Sequence, residues 1–212
     1  MANGAGGSIT PFFTIWTEPR ATIRRVVETD PKRYVIALAA IGPAVSALAN
    51  QWSKAIDNNA NLSVLWPLEV ALAVAFGAVI GIVSLYISGA ILRWSGGLIG
   101  GVASQVEMRA ALAWAQVPAI AAEVILLMAV LQGIAIPHLS AAAALQIDPA
   151  FYKVGVVEAI LTVWGSIVGI YCIAEVHRFS AWRAFCATLI PAGIAMVVLG
   201  FVVWVVYALI HH

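Results

Sequence analysis

Five long apolar stretches, at residues 34–52, 65–92, 110–131, 154–174 and 184–210, fill most of this 212-residue chain, and its charges fall almost entirely between them. A helix crosses roughly 30 Å of hydrocarbon with about 20 apolar residues, so each stretch is of spanning length or close to it. The chain is 63% hydrophobic and 10% charged, with a mean hydropathy of +0.98. That leaves too little polar surface to cover a water-soluble globule. The expected fold is all-α, a polytopic membrane protein with a five-transmembrane-helix bundle. A transmembrane barrel would instead show alternating segments of about 10 residues. The expected division is a cytoplasmic N-terminal segment with a short interfacial amphipathic helix at 1–33 and a membrane domain at 34–212.

Charge orients the spans. Arg20, Arg24, Arg25, Lys32 and Arg33 precede the first, Arg93 and Arg109 bracket the second connection, and Arg178 and Arg183 lie in the fourth. The alternate connections hold only Lys54 and Lys153. By the positive-inside rule the N-terminus is in and the C-terminus out. Adding or deleting one span would scramble this alternation.

The segment from Thr14 to Pro31 reads as an amphipathic helix. Thr17 or Glu18 suits its cap, and Pro19 its first turn, where a missing N–H costs nothing. Ile23, Val26 and Val27 form one face; Arg20, Arg24 and Glu28 form another at spacings of four. Asp30-Pro31 is expected to end this helix and cap the next. Two roles are open: a membrane-surface helix meeting headgroups or a cytoplasmic partner, and a plain topological anchor. The anchor is preferred, because three arginines with two carboxylates nearby make a weak polybasic signal. The stretch from Arg93 to Arg109 reads as a glycine-rich turn followed by a helix start, with Ser104 and Glu107 at capping-box spacing. No Gly-Lys-Ser/Thr follows the glycines, so they are not a phosphate loop.

Ionisable groups inside spans are costly and are candidate functional residues. Here they are Glu69, Glu123 and Glu158, each on a stripe of small or polar residues. Glu69 heads Ala73, Gly77, Gly81, Ser84 and Ser88. Glu123 follows Arg109 and Gln116 at heptad spacing, and Glu158 leads Thr162, Gly165, Gly169 and Cys172. Small residues let helix backbones approach in lipid. The three faces are therefore expected to turn toward one another, gathering Glu69, Glu123, Glu158, Gln116 and Thr162 as a candidate intramembrane polar or ion site. All three glutamates fall in the outer half. The bland role is structural glue: Glu69 follows Pro67 in a first helical turn, where free N–H groups and the helix dipole favour a carboxylate. Glue is preferred over an ion or proton site.

No catalytic set assembles, and no cofactor is expected. There is no G-x-S-x-G or H-E-x-x-H, and no His or Cys pair has metal-ligand spacing. Cys172 and Cys186 read as small packing residues. His138 and His177 are expected on opposite sides of the membrane. His211 and His212 are assigned no role. A net charge of +1 gives no hint of nucleic acid. Glu175, His177 and Arg178 are expected to meet Arg93, Glu107 and Arg109 in a salt-bridged girdle. With Glu18, Arg20 and Arg24 these form a candidate cytoplasmic docking surface. The expected partners are membrane lipids, with a cytoplasmic protein and a second copy of the chain as candidates.

Several motifs occur in order along the chain: Trp16-Thr-Glu-Pro-Arg-Ala-Thr-Ile-Arg24, Thr29-Asp-Pro-Lys-Arg33 and Gly100-Gly-Val-Ala-Ser-Gln-Val-Glu107. Ala113-Trp-Ala-Gln-Val-Pro118, Val163-Trp164, the Glu175-Val-His-Arg-Phe-Ser-Ala-Trp-Arg-Ala184 hairpin and Pro191 follow. In these the chain resembles the Yip family of membrane proteins (Yip-one type, Ypt/Rab-interacting) in its short prokaryotic form. The resemblance covers nearly the whole chain and rests on the order of features. It implies five spans with a cytoplasmic N-terminus, in agreement with the charge reading, and a prokaryotic inner membrane. The eukaryotic family is associated with vesicle traffic, Rab-type GTPases and membrane shaping. This chain lacks the Asp-Leu-Tyr-Gly-Pro motif of those members, so no GTPase-binding residue carries over. The expected function is a non-enzymatic role in membrane organisation or partner docking. The alternative is a cation or proton transporter using the three glutamates.

Overall fold

The computed structural model describes residues 10–57, 63–132 and 149–210, and among these the regular structure is helical throughout. Two short helices, α1 (Thr10–Thr14) and α2 (Pro19–Thr29), come first. Five membrane-length spans follow: α3 (Val35–Asp57), α4 (Trp66–Leu98), the pair α5 (Gln105–Ala115) and α6 (Val117–Leu131), α7 (Pro149–Val176), and α8 (Ala181–Ile210). Much of the third connection, with His138, and the terminal His211 and His212 lie outside the described residues.

The bundle is held by close backbone contact. Gly77 of α4 leaves no room for a side chain: a Cβ there would stand 2.6 Å from the carbonyl oxygen of Pro43, and Gly81 is pressed closer still to that of Ala39. The glycine stripe of α4 therefore docks on α3, and only Gly89, further along, meets Arg109 and Leu112 of α5. The expectation that the second, third and fourth spans turn their stripes toward one another thus holds only for the C-terminal part of the α4 stripe, where Ser84 and Ser88 share a groove with Gln116, Thr162 and Gly165, while Gly77 and Gly81 face α3 instead. Ala39, Pro43 and Ala47 repeat at spacings of four on α3 and offer the flat surface that α4 fits. Gly165 and Gly169 of α7 do meet the third span as expected: a Cβ on either would stand 3.7 Å from Ala119 and Ala115 respectively.

Two helix boundaries differ from the sequence reading. The third span is broken at Gln116, because Pro118 in the first turn of α6 has no N–H to continue the ladder. The second span runs through Arg93 and the first glycine pair to Leu98, so the turn is only Ile99–Ala103. Tertiary contact on Gly96 outweighs the helix cost of glycine there. The last span is packed at one end only. Ala184 and Ala187 are fully buried, whereas from Ala192 to Phe201 every residue is exposed, as on a lipid-facing helix.

A charged cavity where the spans end

The amphipathic segment folds against the bundle. Thr22, Ile23 and Val26 of α2 are buried, and α2 packs on α7 and α5. Its apolar face thus meets protein, where the sequence alone allowed headgroups. The Thr22 hydroxyl donates to that of Thr14 at 2.7 Å, fastening α1 to α2. Glu18 holds the N-cap position but makes no capping hydrogen bond, and it is exposed. Asp30 does not cap α3 either. Its carboxylate accepts from the Lys32 N–H at 3.0 Å in a turn, and Tyr34, at φ 59°, brings the chain into α3.

The opposite face of α2 carries Arg20, Arg24 and Glu28. Arg24 Nε donates to Glu175 Oε1 of α7 at 2.6 Å. Glu175, first by that hydrogen bond and then by its charge, raises the Arg24 pKa above its ordinary value. The pair is largely exposed at the arginine, so it positions more than it stabilises. Arg20 donates to the Phe179 carbonyl at 3.4 Å and lies over the Tyr171 ring, 5.7 Å from its centroid.

Two helix ends meet beside this face. At the end of α4 the Gly101 N–H reaches the Gly96 carbonyl and the Gly100 N–H that of Gly97, with Gly100 at φ 88°. This is a Schellman turn with glycine in its left-handed position. At the end of α7 the Phe179 N–H reaches the Ala174 carbonyl and the Arg178 N–H that of Glu175. The geometry is the same, but Arg178 takes the left-handed position at φ 57°.

His177 locks the two turns together. Its side chain is 1% exposed, and its ring lies where a Cβ on Gly96 or on Gly101 would have to be. Nδ1 accepts from the Ala103 N–H at 3.4 Å, so the ring hydrogen belongs on Nε2, 3.3 Å from the Leu92 carbonyl. The ring stacks on Phe179 at 4.9 Å. Burial lowers the His177 pKa, and the charge of Arg93 lowers it further; the Leu92 carbonyl and Glu107 oppose this. Just beyond, Ser104 and Glu107 form the expected capping box at the start of α5, with reciprocal bonds of 2.7 and 3.3 Å.

Between α2 and the α7 turn lies a cavity of about 660 Å³. Its polar lining is Arg20, Arg24, Glu28, Glu107, Glu175 and Arg178. Five of the nine candidate docking residues are gathered here. Glu18, Arg93, Arg109 and His177 are not: Arg93 is exposed on α4, and His177 is buried beneath. Arg109 donates to the Gln105 carbonyl at 3.0 Å and covers the Tyr86 ring at 4.5 Å, beside a separate, smaller cavity. The expected girdle is present in part: Glu107 lies by Arg178, Glu175 and His177, and Arg93 lies by His177, but Arg109 stays apart and the ion pair of Glu175 is with Arg24 of α2. Glu28 was not among the candidate site residues, although its spacing of four from Arg24 places it on the same face.

The intramembrane glutamates part company. Glu69 is exposed at the start of α4, where its carboxylate accepts from the Ser63 hydroxyl at 2.9 Å. Glu123 of α6 lies near Ser46 of α3 and Glu158 of α7. Its Oε2 is buried without a hydrogen-bond partner. The expected cluster of three is not assembled: Glu69 stands apart, because α4 packs on α3 while α6 packs on α3 and α7. Gln116 and Thr162 line a separate groove of about 380 Å³ with Ser84, Ser88 and Ser166. Among the described residues no group of His, Cys, Asp or Glu is arranged to hold a metal ion.

Comparison with curated proteins and with solved structures gives no match. The family model described as the Yip1 domain matches residues 13–211, which takes in α2, all five spans and every residue of the charged cavity. This chain of five membrane-length helices thus belongs to the Yip1 domain family.

Proposed function

We propose that this protein is a non-enzymatic organiser of its membrane, acting through the end of the bundle that carries α2. The observation behind this reading is the charged cavity between α2 and the α7 turn, with charges of both signs around an opening of about 660 Å³. Apolar spans need no such feature to sit in lipid. The arrangement suits docking of a polar group, on a lipid or on a partner, at the level where the spans leave the membrane. The basic residues at this end support its placement on the cytoplasmic side; the membrane we propose is a prokaryotic inner membrane. Reconstitution into vesicles tests the reading. The wild type should change vesicle morphology or retain a partner, and a double replacement Arg20→Glu with Arg24→Glu should lose that effect. A wild type that alters no vesicle and retains no partner overturns it.

A second reading rests on Glu123 and Glu158. Two carboxyl groups from adjacent spans, one with a buried oxygen lacking a hydrogen-bond partner, suit a path for protons or a cation. Flux in proteoliposomes should then be abolished by Glu123→Gln and unaffected by Glu69→Gln, since Glu69 stands apart. Flux that survives replacement of both Glu123 and Glu158 excludes this reading.

A further inference from the structure

We propose that the cavity between α2 and the α7 turn holds the headgroup of an aminophospholipid, its phosphate between Arg20 and Arg178 and its ammonium at Glu28. The inference rests on the reading of this end as a docking site and names the ligand class. Three observations carry it.

The first is which charges are already committed. Glu175 is bonded to Arg24, and Glu107 is occupied by the Ser104 N–H. Among the described residues the guanidinium groups of Arg20 and Arg178 and the carboxylate of Glu28 make no ion pair, although Arg178 has Glu107 and Glu28 has Arg24 as a neighbour, so these three can still face a ligand. Arg20 makes one long bond, to the Phe179 carbonyl, and rests on Tyr171. Guanidinium groups suit phosphate oxygens, and the balanced lining favours a zwitterion over a purely anionic group.

The second is backbone conformation. The position of Arg178, at φ 57°, is one that sterics assign to glycine, and the equivalent position of the α4 turn is Gly100. A strained non-glycine residue lining a cavity points to a role for its side chain.

The third is depth. The cavity lies where α7 ends, α5 begins and α8 begins, and Trp94, Trp182 and Tyr34 are exposed near the same helix ends. Tryptophan and tyrosine concentrate at headgroup level. The volume is in the range of small-ligand sites.

The test is native mass spectrometry of the full chain taken from vesicles of equal phosphatidylethanolamine and phosphatidylglycerol, with thermal unfolding in parallel. The wild type should retain phosphatidylethanolamine in preference. Arg178→Gly and Arg20→Gln should each lower retention about tenfold, the loss of one charge-assisted contact. Arg178→Gly should do so without lowering the unfolding temperature, because glycine is at ease in that conformation. Glu28→Gln should shift the preference toward phosphatidylglycerol. Equal retention by Arg178→Gly and wild type overturns the proposal, as does a wild-type preference for phosphatidylglycerol. Inorganic phosphate competing as well as the lipid also overturns it, since the site would then take free phosphate. If Arg178→Gly leaves lipid retention intact while the arginine double replacement still loses a partner, this proposal falls and the docking reading stands.

Discussion

Helices α4 and α7 end in the same doubly hydrogen-bonded turn, yet α4 puts Gly100 in the left-handed position and α7 puts Arg178 there. The α4 turn accepts contact: the ring of His177 takes the space beside Gly96 and Gly101. The α7 turn delivers contact: it sends His177 inward to that seat and leaves the adjacent Arg178 on the charged cavity. One turn gives up side chains so that backbone and ring can touch. The other bears backbone strain to present one. The comparison separates a glycine turn shaped for contact from an arginine turn whose side chain lines the cavity.

The largest expected effect comes from filling the seat. Gly101→Val should drive a branched side chain into the His177 ring, with a loss of about 3 kcal/mol or more by the logic of overpacked cores. Gly97→Ala, one residue along from Gly96 and facing open space, should stay within about 0.5 kcal/mol of wild type. Thermal unfolding in detergent reads both, and equal behaviour of the two would mean that His177 is not seated there. Next come the left-handed positions themselves. Gly100→Ala should lower stability by about 1–2 kcal/mol, the penalty of a Cβ in this conformation. Arg178→Gly should have the opposite sign and raise stability by about 0.5–1 kcal/mol. Matching signs for the two replacements would break the comparison.

The smallest expected effect is on pH dependence. Folding favours neutral His177, so the unfolded chain takes up the ring proton at higher pH than the folded one does. The contribution is complete above the ordinary histidine range and is lost as pH falls through that range toward the lowered folded value. The charges that face the ring are Arg93 on α4, which favours the neutral form, and Glu107 on α5, which opposes it. Unfolding temperatures measured from about pH 7 down to about pH 5 should fall, and His177→Gln should flatten the dependence. A slope unchanged in His177→Gln would assign it to another group.

The spans were legible because hydrocarbon imposes one strong demand: residues at membrane depth must be apolar, and their backbones must bond internally. The capping box of Ser104 and Glu107 was legible for a similar reason, being a local pattern with both partners three residues apart. Pairing between elements was harder to read. The stripe of Gly77 and Gly81 announces a close contact but not its partner, and several spans offer small residues at suitable spacing. Glu175 is 151 residues from Arg24, and no local rule joins them. The unforeseen Arg24–Glu175 pair and the absence of Arg109 from the cavity had this cause: residues at one end of a bundle share a depth, yet which of them touch depends on how each helix is rotated.

Hydropathy and charge alternation in the sequence determined that this chain crosses a membrane five times and that its arginines collect at one end. Those properties are sums over many residues, and no single contact alters them. Tertiary structure alone decided that the amphipathic face of α2 lies on α7 and α5, that α6 with Glu123 packs on α3 and α7, away from Glu69, and that His177 closes the α4 turn. Each depends on angstrom-scale fit between distant residues, where a single Cβ on Gly81 or Gly101 would exclude the partner.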